Sequence, residues 1–203
     1  MHYTLMDLVA DITQNGAESG ADLVELTVSE TADSSGKREF RFTVKDNGKG
    51  MTSEELKLAQ DPFYTDGVKH PNRRVGLGLP FLIQTAEVSG GGWKIESRKE
   101  PVEYSGTEVN AWFDLNNVDT PPVGDVPGIF RTVMLFEGPG DIVIKRRRDV
   151  SPGASPPTSP AALDGQIEYE VRKTELFDAL GGLEDVQSLV LMDQYLRSLE
   201  ENN

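Results

Sequence analysis

The sequence predicts a two-layer α/β sandwich, in which helices cover one face of a mixed, mainly antiparallel sheet, followed by a small α+β extension. Three observations support this prediction: an amphipathic helix near the start of the chain, two pairs of strands with alternating apolar residues, and an apolar helix between the pairs. At 203 residues, of which 37% are hydrophobic, the chain can bury a core of this kind. We expect the sandwich to span residues 1–118 and the extension, of unknown role, residues 119–203.

The first helix begins beside Thr4, because Thr4 and Asp7 form the pattern of a capping box. Gly20 ends it. Its apolar residues recur at helical spacing and form the buried face: Leu5, Leu8, Val9, Ile12 and Gly16. A polar stripe beside them includes Asp11 and Asn15. This stripe is either a solvated face or the place where Asp11 and Asn15 meet a metal-bound polyphosphate, since an amide oxygen suits Mg²⁺ when phosphates supply the negative charge.

A pair of strands leads to an acidic turn. Apolar residues alternate on both strands: Val24, Leu26 and Val28 on the first, and Phe40, Phe42 and Val44 on the second. Counting on by two from Val44, Asp46 has the parity of the buried side chains, and a buried carboxylate needs hydrogen-bond partners. Gly48 and Gly50 allow the backbone to approach a planar ligand closely. The alternative is that the strand simply ends at Val44.

Residues 61–75, which follow a short helix capped by Thr52 and Glu55, show no periodicity, and we predict that they form a lid. Phe63 would anchor the lid by burial. Its cations stand just before a glycine-opened helix, where a polyphosphate would need them: Lys69, Arg73 and Arg74. The alternative is a solvated loop.

A glycine pair, Gly76 and Gly78, opens the next helix, with Pro80 in its first turn. The free N–H groups at such a helix start form an anion site. The pair matches neither the dinucleotide fingerprint nor the P-loop. The helix stops at the glycines that begin at Gly90, and two strands follow, with alternating residues Trp93, Ile95 and Ser97 on one and Thr107, Val109, Ala111, Phe113 and Leu115 on the other.

The composition excludes several classes of function. Lys and Arg total 20 against 34 Asp and Glu, a net charge of −14, which argues against binding to nucleic acid or to a membrane surface. The chain has no cysteine, so disulfides, thiolate metal sites and cysteine nucleophiles are absent. We see no signal peptide and no membrane-spanning stretch, so we expect a soluble, cytoplasmic protein.

The C-terminal third has a different composition. Residues 129–136 are apolar and of uncertain type, and residues 151–160 form a Pro/Ser-rich loop. The basic run 145–148 is expected to be a solvated strand end, or else a site for an acidic partner. Ile167, Tyr169 and Val171 predict a strand. The apolar face of a closing helix would consist of Val186, Leu189, Val190, Leu196 and Leu199.

Five sequence blocks occur in a specific order: DITQNGA at 11–17, DNGKGM at 46–51, DPFYT at 61–65, GLGLP at 76–80 and GTEV at 106–109. Together they resemble the ATP-binding domain shared by gyrase B, the ninety-kilodalton heat-shock chaperones, sensor histidine kinases and mismatch-repair ATPases. The similarity is greatest to the histidine-kinase-like branch. It implies a site for ATP or ADP with Mg²⁺, and it covers about residues 4–115.

The resemblance implies a role for each matching residue. Asn15 would be the Mg²⁺ ligand, and Asp46 would accept the adenine amino group, with Thr107 supporting the base through water. Gly48 and Gly50 would shape the base pocket. The phosphates would meet Gly76 and Gly78, with one or more of the cations Lys69, Arg73 and Arg74. The other nucleotide-site positions are Met51, Phe63, Leu77 and Leu79.

Asp11 stands where hydrolysing members of the family usually carry the glutamate that acts as base. Because aspartate is one methylene shorter, the resemblance leaves two functions open: a slow ATPase or protein kinase of the histidine- or serine-kinase type, and a nucleotide-responsive module that binds a protein partner with little turnover. We expect a stand-alone member without the dimerisation and phosphoacceptor helix of sensor kinases. The two histidines, His2 and His70, are expected to be surface residues rather than phosphoacceptors.

Overall fold

The computed structural model describes residues 4–61, 78–99, 105–150, 165–182 and 186–201. The predicted lid, the Pro/Ser-rich loop and both histidines lie outside these ranges, apart from Asp61 at the edge of the lid. Within them the helices are α1 (Leu5–Ala17), α2 (Ser53–Ala59), α3 (Gly78–Val88), α4 (Val126–Met134), α5 (Lys173–Leu180) and α6 (Val186–Glu201). The strands are β1 (Leu23–Ala32), β2 (Arg38–Asp46), β3 (Gly92–Arg98), β4 (Gly106–Asp114), β5 (Asp141–Val150) and β6 (Gly165–Arg172).

The strands form one open sheet in the order β3-β4-β2-β1-β5-β6. All neighbouring strands are antiparallel except β1 and β5, which are parallel. The predicted mixed, mainly antiparallel sheet is therefore confirmed. The two strands that follow residue 118 extend this same sheet beside β1.

The core lies between the sheet and the helices. Alternate residues of β1, β2 and β4 share one hydrophobic cluster with apolar residues of α1, α3, α4 and α6. Three phenylalanines, Phe40, Phe42 and Phe113, lie at its centre, with ring centroids 6.1–6.4 Å apart. Residues of the opposite parity, such as Lys45 and Glu108, are exposed. The alternation read from the sequence thus identifies the face that the helices cover.

The predicted start of the first helix is confirmed at the level of individual bonds. The Asp7 backbone N–H donates to the Thr4 hydroxyl at 3.2 Å, and the Thr4 backbone N–H donates to the Asp7 carboxylate at 2.8 Å. The same pair of bonds joins Thr52 and Glu55 at the start of α2. All five residues predicted for the inner face of α1 are buried.

The C-terminal third differs from the prediction in two helices. The apolar stretch of uncertain type belongs largely to α4, which the Asp125 side chain caps. In α6 the predicted apolar face is only partly correct, because Val186 is 77% exposed and Val190 is 49% exposed. The residues that α6 buries are instead four apart and include polar ones: Ser188, Met192, Leu196 and Glu200.

The expectation of a solvated or partner-binding basic run is wrong for two of its four residues. Arg146 and Arg148 point to the inner face of β5 and are 1% and 6% exposed. The Arg146 guanidinium pairs with Glu30 and, at 3.0 Å, with Glu200, whereas Arg148 Nη1 donates to Glu200 at 3.3 Å. The run therefore fastens α6 to the sheet through buried ion pairs.

Candidate functional site

The acidic turn begins at Asp46, the last residue of β2. Asp46 lies opposite Val24 of β1 and Thr107 of β4, so it stands in the middle of the sheet at one end. It is 8% exposed, and its neighbours at the same parity, Val44 and Phe42, belong to the core. The predicted inward orientation of this carboxylate is confirmed.

One oxygen of the Asp46 carboxylate is fully engaged by the protein. Oδ1 accepts hydrogen bonds from the Ser19 hydroxyl at 3.0 Å and from the Gly48 backbone N–H at 2.9 Å. No described residue donates to Oδ2 at bonding distance, although the Thr107 backbone N–H also favours the charged carboxylate. Burial raises the pKa of Asp46 above its ordinary value, and these donors oppose that rise only in part.

The two glycines of the turn are required by close contacts within the protein. A Cβ atom on Gly48 would lie 2.0 Å from the Ser19 Oγ, and one on Gly50 would lie 1.8 Å from the Arg98 carbonyl oxygen. Gly50 also has a φ of +62°, a conformation that side chains disfavour. The turn is therefore packed tightly between the loop after α1 and the end of β3.

A serine on β3 completes the frame of the turn. The Met51 backbone N–H donates to the Ser97 hydroxyl at 2.8 Å, and that hydroxyl lies 2.9 Å from the Thr107 hydroxyl. Neither Ser97 nor Ser19 belongs to the site residues that the sequence predicts. The signal for Ser97 was its parity, since it is a hydroxyl at a position that Trp93 and Ile95 mark as inward-facing.

The last turn of α1 lies against the acidic turn and the start of α3. A Cβ atom on Gly16 would lie 3.5 Å from the Asp46 Cβ, and one on Gly78 would lie 3.4 Å from the Asn15 Nδ2. The Asn15 side chain is exposed and forms no hydrogen bond with a described residue. Asp11 is half-buried one turn earlier on the same side of the helix. Asn15 therefore adjoins a helix N-terminus, which favours anions.

The metal-ligating groups near Asn15 suit a magnesium ion that is coordinated mainly by the ligand. In the described ranges no three histidine or acidic side chains cluster closely enough to hold a metal. A single amide oxygen, that of Asn15, is available instead. Magnesium keeps much of its coordination for phosphate and water oxygens, so these residues fit a metal bound chiefly through a polyphosphate.

Part of the predicted site lies outside the described residues. This holds for the lid residues Phe63, Lys69, Arg73 and Arg74, and for Gly76 and Leu77. The residues that the structure does place together at one end of the sheet are Asn15, Asp46, Gly48, Gly50, Met51, Gly78 and Thr107. Leu79, on the first turn of α3, packs against the core.

A sandwich of helices on an open, mixed and mostly antiparallel sheet of six strands is consistent with the Bergerat-type ATP-binding fold. The family described as histidine kinase-, DNA gyrase B-, and HSP90-like ATPase matches residues 3–117. The chain belongs to this family and carries an ATP-binding domain of the histidine kinase-like class.

Two solved structures show similarity to the domain. A mycobacterial sensor histidine kinase, MprB, is 17% identical, with a TM-score of 0.33; the match covers 54% of this chain and 95% of that one. Full-length ShkA, in complex with AMPPNP, is 16% identical, also with a TM-score of 0.33; the match covers 54% of this chain and 29% of that one. No curated protein matches the sequence. None of the helices in the described ranges has both the length and the apolar character needed to cross a bilayer.

Proposed function

We propose that the protein binds ATP and ADP with Mg²⁺ at the end of the sheet formed by Asp46, the glycine turn and Thr107, and that it is a slow ATPase or a kinase-like regulator. The base would lie against Asp46 and Thr107. The phosphates and their metal would lie between Asn15 and the start of α3.

The proposal rests on the different environments of the two oxygens of the Asp46 carboxylate. Two protein donors, Ser19 and Gly48, hold one oxygen, which fixes the orientation of the whole group. The other oxygen receives no hydrogen bond from a described residue and is not among the buried side-chain atoms that lack a partner, so a donor from outside the protein can approach it. An exocyclic amino group such as that of adenine supplies the missing donor.

In the proposed site, Asn15 and Gly78 would adjoin the phosphates of the nucleotide. Asn15 presents an amide without a protein partner among the described residues, next to the first backbone groups of α3. The N-terminus of α3 offers unpaired N–H groups to phosphate oxygens, and the Asn15 amide oxygen offers one ligand to Mg²⁺. When bound, the metal would neutralise phosphate charge and orient the terminal phosphate.

Asp11 favours the second candidate, a nucleotide-responsive module that binds a protein partner with little turnover. A general base must reach the water that attacks the terminal phosphate, and geometry decides this before pKa does. Asp11 lies on the same stripe of α1 as Asn15, but it is one methylene shorter than the glutamate of hydrolysing relatives. We therefore expect the protein to bind ATP but to hydrolyse it very slowly.

Calorimetry of the whole chain with ADP, with and without Mg²⁺, tests the binding site. We expect Mg²⁺ to increase the affinity of the wild type, and Asn15→Ala to lower the affinity in Mg²⁺ about tenfold, the scale of one contact with a charged group. Gln14→Ala is the matched control, because Gln14 is also an amide on α1 but its side chain bonds to Glu18. An Asn15→Ala protein that kept the full effect of Mg²⁺ would remove Asn15 from the metal site.

A further inference from the structure

Three polar residues form a row across the end of the sheet where the proposed nucleotide site lies. Asp46 of β2 lies opposite Thr107 of β4, and Thr107 lies opposite Ser97 of β3. Residues that are directly opposite on neighbouring strands share one face of the sheet, so all three lie on the face that the helices cover. The adjacent row on the same face is apolar and consists of Val44, Val109 and Ile95. The polar row therefore begins where the core ends.

The Ser97 hydroxyl lies within hydrogen-bond distance of three groups. The Met51 backbone N–H donates to it at 2.8 Å, the Thr107 hydroxyl lies 2.9 Å away, and the Gly106 carbonyl oxygen lies 3.2 Å away. A serine hydroxyl has one proton to donate and two lone pairs that accept. Because a carbonyl oxygen can only accept, the bond to Gly106 uses the single proton of Ser97.

These contacts determine the direction of the bond between the two hydroxyls. If Ser97 donated to Thr107, the Ser97 and Gly106 oxygens would lie 3.2 Å apart without a proton between them. If Thr107 donates to Ser97 instead, all three contacts are hydrogen bonds, and the Ser97 oxygen uses its proton and both lone pairs. The proton of the Thr107 hydroxyl is then committed to Ser97, and Thr107 offers a ligand only lone pairs.

The neighbouring group in the row is also an acceptor. No described residue donates to Oδ2 of Asp46 at bonding distance, since the Ser19 and Gly48 donors both bind Oδ1. Thr107 is half-buried and therefore borders the solvent on the same side. Two acceptors side by side suit the edge of a ligand that carries N–H donors, whereas a carbonyl oxygen at that edge would meet lone pairs only.

We infer that Ser97 is a positioning residue for the choice of base. By accepting the proton of Thr107, it keeps that hydroxyl an acceptor, and the site then prefers a nucleotide with a 6-aminopurine base to one with a 6-oxopurine base. Ser97 acts through Thr107 and does not itself need to touch the nucleotide. The inference rests on the proposed function, because it takes the base to lie against Asp46 and Thr107.

The experiment is calorimetry of the whole chain in Mg²⁺ with ADP and with inosine 5′-diphosphate (IDP), whose base carries a 6-oxo group. Ser97→Ala frees the Thr107 proton to turn toward the ligand or toward Asp46, so we expect the preference for ADP over IDP to fall about tenfold. Loss of the bond from the Met51 N–H alone would weaken both nucleotides by the same factor and leave the preference unchanged. Ser97→Thr keeps the hydroxyl and should keep the wild-type preference.

The route through Thr107 is tested by a double-mutant cycle. In a Thr107→Val background no hydroxyl remains to be oriented, so adding Ser97→Ala should leave the preference for ADP unchanged. Ser29→Ala is the matched control, because Ser29 also lies on a strand of this sheet but opposite Arg41, on the outer face. It should bind both nucleotides as the wild type does.

The outcomes separate this inference from the proposed function. A wild type that bound neither nucleotide would refute the proposed function and the role of Ser97 with it. A wild type that bound ADP, together with a Ser97→Ala protein of unchanged preference, would overturn the role of Ser97 and leave the nucleotide site standing. The role of Ser97 would also be refuted if Ser97→Ala changed the preference equally with and without the Thr107 hydroxyl.

Discussion

Replacing Asp46 by asparagine separates its role in the fold from its proposed role in binding. The substitution changes one carboxylate oxygen to an amino group and keeps the shape of the side chain. Because the Ser19 hydroxyl and the Gly48 N–H both donate to the same oxygen, that oxygen must remain an acceptor in the variant. The new amino group therefore takes the place of Oδ2, the oxygen assigned to the nucleotide.

In Asp46→Asn a donor would face the amino group of adenine, which is also a donor. The lost interaction is a hydrogen bond to a charged group, worth about 1.5–3 kcal/mol. The affinity for ADP should fall by about 10- to 150-fold, since each 1.4 kcal/mol is a factor of about ten. Purine riboside 5′-diphosphate lacks the amino group, so the wild type should bind it more weakly than ADP, and the substitution should cause little further loss.

The assay is calorimetry on the two proteins with the two ligands in Mg²⁺, which forms a double-mutant cycle. Glu108→Gln is the control, because it removes the same charge from an exposed position next to Thr107. If Asp46→Asn bound ADP as well as the wild type does, Asp46 would not hold the base. If it weakened both ligands equally, the carboxylate would act on something other than the amino group.

The stability of the same variant provides an independent check. Burial raises the pKa of Asp46 above its ordinary value of 3.8, so the folded chain holds this proton more tightly than the unfolded chain does. The contribution of Asp46 to the unfolding free energy therefore falls as the pH rises through the raised pKa, and it is fully present only below 3.8. Asp46→Asn lacks this term, so relative to the wild type it should gain stability from acid to neutral pH, as urea unfolding can measure.

Two further predictions concern turnover and the buried ion pairs. In single-turnover hydrolysis of ATP, Asp11→Asn should abolish the slow wild-type activity without weakening binding. Asp11→Glu should raise the hydrolysis rate, because a shift of about 1 Å in the position of a base can change a rate about 100-fold. Turnover that survives Asp11→Asn would mean that another residue is the base. Glu200→Gln removes a counter-charge from Arg146 and Arg148 and should lower the unfolding free energy by about 3–5 kcal/mol. The exposed control Glu201→Gln should change the unfolding free energy little. Equal urea midpoints for the two variants would contradict the structural role of Glu200.

The parts of the fold that the sequence predicts well are those set by local pattern. The parity that runs from Phe40 to Val44 extends to Asp46, so one alternating strand is enough to orient the carboxylate. The capping boxes at Thr4 and Thr52 are equally local, because both partners lie within three residues. Such features can be predicted without knowing which helices and strands contact one another.

The features that the sequence does not reveal depend on contacts between distant segments. Arg146 belongs to a run of four basic residues, which alone indicates a solvated strand end. Its partners, Glu30 and Glu200, are 116 and 54 residues away in the chain, and only the parallel pairing of β5 with β1 brings the first of them close. Glu200 lies on the same buried face of α6 as Met192 and Leu196, whereas the apolar residues Val186 and Val190 are exposed.

Two buried charged residues of the same sheet, Arg146 and Asp46, differ in how the protein balances their charge. Arg146 is held by two carboxylates, Glu30 and Glu200, which supply the opposite charge that a buried guanidinium needs. Asp46 has no cation among the described residues; it has neutral donors on one oxygen, and burial raises its pKa. A raised pKa means that folding favours the neutral form of this carboxyl group over the charged form. The proposed nucleotide would supply the donor that the open oxygen of this carboxylate lacks.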